Sequence, residues 1–590
     1  MWSVKRTLFL LIVNLCSIIS TFAINTVVLK QNIIGESNFL SQEMINKDSS
    51  VYVFLHDYVL CEDIEIPVGC TLKFDGGSIA GRYTIRGNNT KIKAGVECIF
   101  SVDITIAGTW FVTETYPEWF GAKGDGIFDD AIAINKCFLF SSSNEETPLR
   151  LLFTKPNYNV DKIISFSGKN HITIEGTAKN TIKKAKGSLY NMFDGEYCKC
   201  IKLSNLTLDG SLEDWGLMNP GIPNWLNKTF NACIIGASNT TDFTLDNCVI
   251  KNFFYGVYLG GADEYDRIID GNRNTDYISI TNCIFERNKR SCIDTYNRFG
   301  LYINNNLFKD NGNIAVHIEP SMRVDLSGDF DCSDVFLSKY PADGVSISNN
   351  TFVWTKTPAM GIKLYKGAYA VNISNNHFIN SSCAISSDST KIVIISNNTI
   401  RSGKGMELYG KLGSGNIYGN ILINVSEGIS CSNNSQSMGC LDVHDNIIVY
   451  KEKLTSAPDV FKVQNSKYHD NIIRGYFNYE LWKKKGVLDV TGASNCEIYN
   501  NKLLKCNDST IPFFVVPITN QEELSSFIKK GVRIFDNVYE QKLDYEFSTD
   551  VAKTRPSNPY IGQQFYDLNL NKLIIYVGKN WVDFNGNVVN

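Results

Sequence analysis

Three pairs of residues, each pair two positions apart, carry the side chains best suited to chemistry: Asp294-x-Tyr296, His317-x-Glu319 and Lys363-x-Tyr365. Two carboxylates can divide the roles of general acid and general base, and an imidazole between them can tune or relay a proton. A lysine can bind or neutralise an anionic group, and tyrosines can stack on a sugar ring or donate a proton. A second acidic group competes for attention. The stretch FGAKGDGIFDD packs Asp125, Asp129 and Asp130 beside glycines. Paired carboxylates cleave glycosidic bonds, and clustered ones bind calcium.

The elements that must position the first group are repeats. The pattern apolar-x-Asn-Asn-x-apolar appears as ITNCIF (280–285), INNNLF (303–308), ISNNTF (347–352), ISNNHF (373–378) and ISNNTI (395–400). Looser copies follow as IYGNIL, VHDNII, YHDNII, IYNNKL and IFDNVY, ending at 539, and LSNLTL (203–208) and LDNCVI (245–250) fit upstream. The tightest spacing, Asn375 to Asn397, is 22 residues. A period of that length indicates a solenoid, and the alternating apolar residues within each copy indicate strands. Leucine-rich repeats have a similar length, but their leucine signature is missing. Stacked parallel strands joined by turns fit. Asn tolerates left-handed backbone, and stacked amides can bond from coil to coil. The fold expected is all-β: a right-handed, single-stranded parallel β-helix.

A second strand follows each Asn turn, in copies such as GVYL (256–259), CIDT (292–295), AVHI (315–318) and GIKL (361–364). Alternation turns the third residue of each outward, and parallel stacking sets neighbours about 4.8 Å apart. One outward column then reads Tyr258, Asp294, His317, Lys363, Ser386, Glu407. The next reads Gly260, Tyr296, Glu319, Tyr365, Asp388, Tyr409. Asp294 and Glu319 become diagonal neighbours at about 7–8 Å, which suits an inverting carboxylate pair. The catalytic candidates are therefore Asp294, His317 and Glu319, with Tyr258, Tyr296, Arg323, Lys363 and Tyr365 contacting substrate. Insertions at about 209–231, 260–276 and 320–343 could wall this face. Two rival readings are a non-catalytic glycan-binding groove and a plain solvated surface. His444, His469 and His377 fall in or beside the Asn turns, where a turn role is expected.

The acidic stretch also reads as scaffold. Gly124-Asp125-Gly126 is a turn signal, and Asp129 or Asp130 stands where a side chain would cap the short amphipathic helix AIAINKCFLF. That helix would cover the first coil. The segment WFGAKGDGIFDDAIAINKCF resembles the leading motif of the pectate-lyase-like superfamily, where it opens a right-handed β-helix. ITIEGTAKNTI (172–182) resembles an early coil of that family. The N-terminal region and the tail are similar to modules of exported β-helix proteins of gut Bacteroidetes. The resemblance implies polysaccharide-active enzymes (polygalacturonase-type hydrolases, lyases and phage tailspikes) and members with no known activity. The chain lacks the polygalacturonase set of N-x-D, D-D, G-H-G and R-x-K, since Asn274-Thr275-Asp276 stands alone, and it shows no calcium-lyase pattern. No catalytic residue is carried over from the family.

The 590-residue chain has a net charge of −4, which does not suit a general nucleic-acid binder. Lys5 and Arg6 precede an apolar run that ends at Thr21-Phe22-Ala23, a plausible cleavage site for an export signal. Asn14 interrupts the run, which argues against a membrane anchor, and Leu15 argues against lipidation at Cys16. The expected organisation is a signal peptide at 1–23, an N-terminal β region at 24–116, the β-helix at 117–544 and a small β module at 545–590. The N-terminal region could be added short coils or a separate domain. The seventeen cysteines are scattered and read mostly as small buried hydrophobes, with a metal site at Cys198-x-Cys200 as the alternative for that pair. The expected partner is a polysaccharide, acidic under one reading, bound by a secreted, periplasmic or cell-surface protein. No cofactor is expected, with calcium an option for a lyase. A homotrimer is an option known for such folds.

Overall fold

The computed structural model describes residues 25–141, 147–186, 190–212, 232–235, 240–259, 276–295, 299–318, 343–365, 368–410, 413–432, 440–451, 459–475, 487–505, 529–541, 564–567, 572–576, 579–583 and 588–589. The expected signal peptide lies outside them. The chain divides into two compact units, Met1–Tyr302 and Ile303–Asn590. Among the described residues no helix is long and apolar enough to cross a membrane.

The first unit begins with short parallel strands stacked in chain order: Asn25–Val28, Ser50–Phe54, Thr71–Phe74, Thr84–Lys93 and Thr105–Trp110. Tyr52 faces Leu72, which faces Ile92. The N-terminal region is thus a set of short coils. Its interior carries an aromatic file in which Phe54 stacks on Phe74 at 4.7 Å and Phe100 on Phe120 at 5.5 Å.

Larger coils follow in the same unit. Leu151, Ile174, Leu203, Leu245 and Ile280 face one another in turn and are all fully buried. Alternation along each strand produces this interior, and burying a branched aliphatic side chain stabilises by about 1.5–3 kcal/mol.

Between the short and long coils lies the acidic stretch. Asp125 Oδ1 accepts the Ile127 and Phe128 amides at 2.8 and 2.9 Å. Asp130 is buried and folds back to accept the amides of Lys123 at 2.7 Å and Gly124 at 3.2 Å. Its side chain makes no cap bond to the helix Ala131–Cys137. Asp129 does the capping, accepting the Ala131 amide at 3.1 Å. The acids shape the turn as expected, with the capping role on Asp129 and not on Asp130. The helix buries Ala131, Ala133, Ile134 and Cys137. Beyond its end, Phe140 packs on Phe100, Trp110 and Trp119.

In the second unit the two residues of each Asn pair do different jobs. The first sits in left-handed backbone: Asn305, Asn349, Asn375 and Asn397 have φ of 54–57°, and Gly419, Asp445, Asp470, Asn500 and Asp536 take that place in the other copies. The second forms a buried ladder through Asn306, Asn350, Asn376, Asn398, Asn420, Asn446, Asn471 and Asn501 to Asn537. At each step the side-chain oxygen accepts both the backbone N–H and the Nδ2–H of the preceding Asn, at 2.9–3.0 Å. A buried amide left without partners costs about 1–3 kcal/mol, so the ladder holds only in register. Phe308, Phe352 and Phe378 stack beside it at 4.6 Å. Near the C-terminus the pattern changes to three antiparallel strands, Gln564–Asp567, Lys572–Tyr576 and Trp581–Asp583.

Candidate functional site

The strands after the Asn turns carry the residues singled out above. In the first unit Tyr255–Leu259 pairs with Ser291–Thr295, placing Tyr258 opposite Asp294. Val257, Leu259 and Ile293 are fully buried on the inner side, so Tyr258 and Asp294 point to the outer side. Tyr258 is half-buried, whereas Asp294 is only 3% exposed.

In the second unit Ile314–Ile318, Met360–Leu364, Cys383–Asp388 and Thr399–Tyr409 stack in parallel. Their outward column reads His317, Lys363, Ser386, Glu407. Val316, Ile318, Ile362, Leu364 and Ile385 are fully buried on the inner side. The structure brings three of the predicted residues together here. The His317 ring lies 6.3 Å from the Tyr365 ring, and Lys363 Nζ lies 5.5 Å from the centroid of the same ring. Lys363 and Tyr365 are half-buried, and His317 is 8% exposed. A cation over an aromatic face gains about 0.5–1 kcal/mol at such a site and is held near one position.

The same face continues through Ser386, Asp388, Glu407 and Tyr409. Asp388 faces Tyr409 across the pair of strands. Burial pushes the Tyr409 phenol up, opposed by its hydrogen bond with Ser386. Lys404 sits between Glu427 at 2.9 Å and Glu407 at 3.4 Å. The surface therefore offers an imidazole, an ammonium, two phenols and carboxylates on adjoining strands. That set can hold an anionic or polyhydroxylated chain and can exchange protons with it.

Tyr296, Glu319 and Arg323 lie outside the described residues, as do the three long insertions apart from a few flanking positions. Among the described residues no group of three or more His, Cys, Asp or Glu side chains could hold a metal ion. The thiols of the C-x-C pair have different partners. Cys198 Sγ donates to the Phe166 carbonyl at 3.2 Å, and Cys200 Sγ lies 3.8 Å from Asp242 Oδ2.

One feature of this unit went unread in the sequence. Tyr418, His444, His469, Tyr499 and Phe535 form a stack of rings at 5.3, 5.1, 4.7 and 5.0 Å, all within 6° of parallel. His469 bridges Asp470 at 2.6 Å and Asp442 at 2.8 Å, and His444 bridges Asp445 and Asn416. These histidines serve the turn edge, as expected of their position. The signal for the whole stack was present, because an aromatic ring precedes the left-handed residue in all five of these copies.

The family model described as "right handed beta helix region" matches residues 337–503. A search of curated protein sequences finds no match. Among solved structures, the surface adhesin PfbA of Streptococcus pneumoniae is similar at 15% identity and a TM-score of 0.38, over 72% of this chain and 100% of that one. The catalytic unit of a GH87 alpha-1,3-glucanase from Streptomyces thermodiastaticus is similar at 10% identity and a TM-score of 0.36, over 72% and 68%. An exopolygalacturonase from Thermotoga maritima is similar at 12% identity and a TM-score of 0.31, over 73% and 90%. Parallel strands paired coil on coil, the Asn ladder and the family-model match agree: the chain is a right-handed parallel β-helix protein.

Proposed function

We propose that the chain is exported and cleaves a polysaccharide on the outer face of the strands that follow its Asn turns, as a glycoside hydrolase or a polysaccharide lyase. The observation that carries this reading is the gathering of His317, Lys363 and Tyr365 on that face of the second unit. Under it Lys363 binds an acidic group of the glycan, Tyr365 holds a sugar ring and His317 transfers a proton. Asp294 and Glu319 are the proposed carboxylates, and Tyr258, Tyr296 and Arg323 the further substrate contacts, on the strength of their sequence positions. Calcium enters only if the reaction is β-elimination.

A second reading has its own observation. In the second unit His317 is nearly closed to solvent, while Lys363 and Tyr365 remain half-open. That arrangement suits a surface that binds glycan without cleaving it. Incubation with a panel of acidic and neutral glycans separates the readings. Reducing ends and absorbance in the unsaturated-uronate band are followed together, and binding is measured on the same panel.

A further inference from the structure

In the second unit the position after the left-handed turn residue holds the buried Asn ladder. In the first unit the same position holds Cys248 and Cys283, after Asn247 and Asn282 at φ 51° and 56°. Asp246 faces Thr281 and Val249 faces Ile284, so the two cysteines stand directly opposite on adjacent coils. Opposed residues of stacked parallel strands are about 4.8 Å apart, within the span of about 4.4–6.8 Å that a disulfide bridges. Cys283 Sγ already occupies the place of the ladder oxygen, accepting the Cys248 backbone N–H at 3.5 Å. Both side chains are buried, at 0% and 1% exposure.

We propose that Cys248 and Cys283 are a redox modification site, closing as a disulfide that staples the two coils at the position where the second unit uses asparagine. The step is a thiol–disulfide exchange with an organic disulfide or a disulfide-bearing oxidoreductase. One cysteine thiolate attacks the oxidant and releases a thiol. The second then attacks the mixed disulfide and releases the other thiol. Two cysteines lose two protons and two electrons, and one oxidant disulfide becomes two thiols.

Burial sets when this occurs. The Cys283 thiol is pushed well up by desolvation, first of all, and by its hydrogen bond with Cys248. A packed thiol is a poor nucleophile, so the bond forms while the coils assemble and is then shielded from reductant. The closed loop runs from 248 to 283.

The full chain, refolded at pH 8 with oxidised glutathione, tests this. It is denatured without reductant, alkylated, digested and analysed by mass spectrometry. The expected result is one joined species containing Cys248 and Cys283. Reductant added during refolding should shift Tm down by several degrees. A Cys248→Asn, Cys283→Asn chain introduces the amide chemistry of the second unit's coils, so its Tm should not respond to reductant. Full alkylation of both cysteines in the glutathione-refolded chain would overturn the proposal. So would joining of either to Cys233 or Cys292 instead.

Discussion

The side-chain oxygen of Asn420 accepts two hydrogen bonds from Asn398, one from the backbone N–H at 2.9 Å and one from Nδ2 at 3.0 Å. Asn398 also donates backward, to the Ile373 carbonyl at 2.9 Å. One buried side chain thus ties its own coil to both neighbours. Asn398→Ala keeps the backbone bond to Asn420 but removes both of these Nδ2 bonds and strands the Asn376 donors, so unfolding should become easier by about 2–4 kcal/mol. Asn397→Gly, one residue earlier, removes a left-handed side chain from a place glycine accepts and should stay within about 0.5 kcal/mol of the parent. Urea unfolding of both variants checks the division of labour. Equal losses would refute it.

His377 supplies a pH dependence. Burial, aided by the nearby Arg401 charge, lowers its folded value to about 4. Above about pH 6.5 the imidazole is neutral in folded and unfolded chains alike, and contributes no slope. As pH falls from about 6.5 toward 4, the unfolded chain takes up a proton that the folded chain refuses, and stability declines. Denaturation midpoints measured from pH 7.5 to 4.5 should therefore fall less steeply in His377→Asn than in the parent. Parallel curves would show that the imidazole titrates normally.

The acids of the GDG stretch should behave as scaffold. Asp130→Ala leaves the Lys123 and Gly124 amides without their acceptor and should cost about 1–3 kcal/mol. Asp125→Ala, on the exposed side of the turn, should cost less. Whatever activity the folded chain shows should persist in both, with kcat unchanged. A collapse of kcat in a stably folded Asp125→Asn chain would return this stretch to the catalytic candidates.

Much of this architecture was legible in the sequence, for a physical reason. A side-chain amide can be buried only if its bonds are met, so an Asn at a fixed period announces a ladder, and alternation announces strands. The split of each Asn pair into a left-handed residue and a ladder residue needed the register. Asp130 reaches back seven residues to Lys123, beyond a helix-capping window, so the choice between Asp129 and Asp130 as the cap needed the structure. The ring stack from Tyr418 to Phe535 becomes visible only when the loose copies are aligned on their Asn. His317, Lys363 and Tyr365 came together because they obey the repeat. Tyr296 and Glu319 were placed by the same repeat but lie outside the described residues, as does Arg323, which falls within an insertion where no period constrains the reading.

On the candidate face, Lys363→Met should raise KM for an acidic glycan about 3–10-fold with little change in kcat, a loss on the scale of one exposed charge contact. Added salt should shrink the difference. His317→Gln should lower kcat about 100-fold or more if the imidazole transfers a proton. Initial rates at two ionic strengths distinguish the roles. A Lys363→Met chain indistinguishable from the parent on every acidic glycan would remove this lysine from the site.

Cleavage of a glycan chain can be tested in one assay. The full-length chain is incubated with a panel of acidic and neutral polysaccharides while reducing ends and unsaturated-uronate absorbance are recorded together. New reducing ends are expected on at least one glycan, lost in Asp294→Asn. Absorbance rising in step would identify a lyase, and its absence a hydrolase. Binding without either signal on any glycan would rule out cleavage, and full activity in Asp294→Asn would remove that carboxylate from the site.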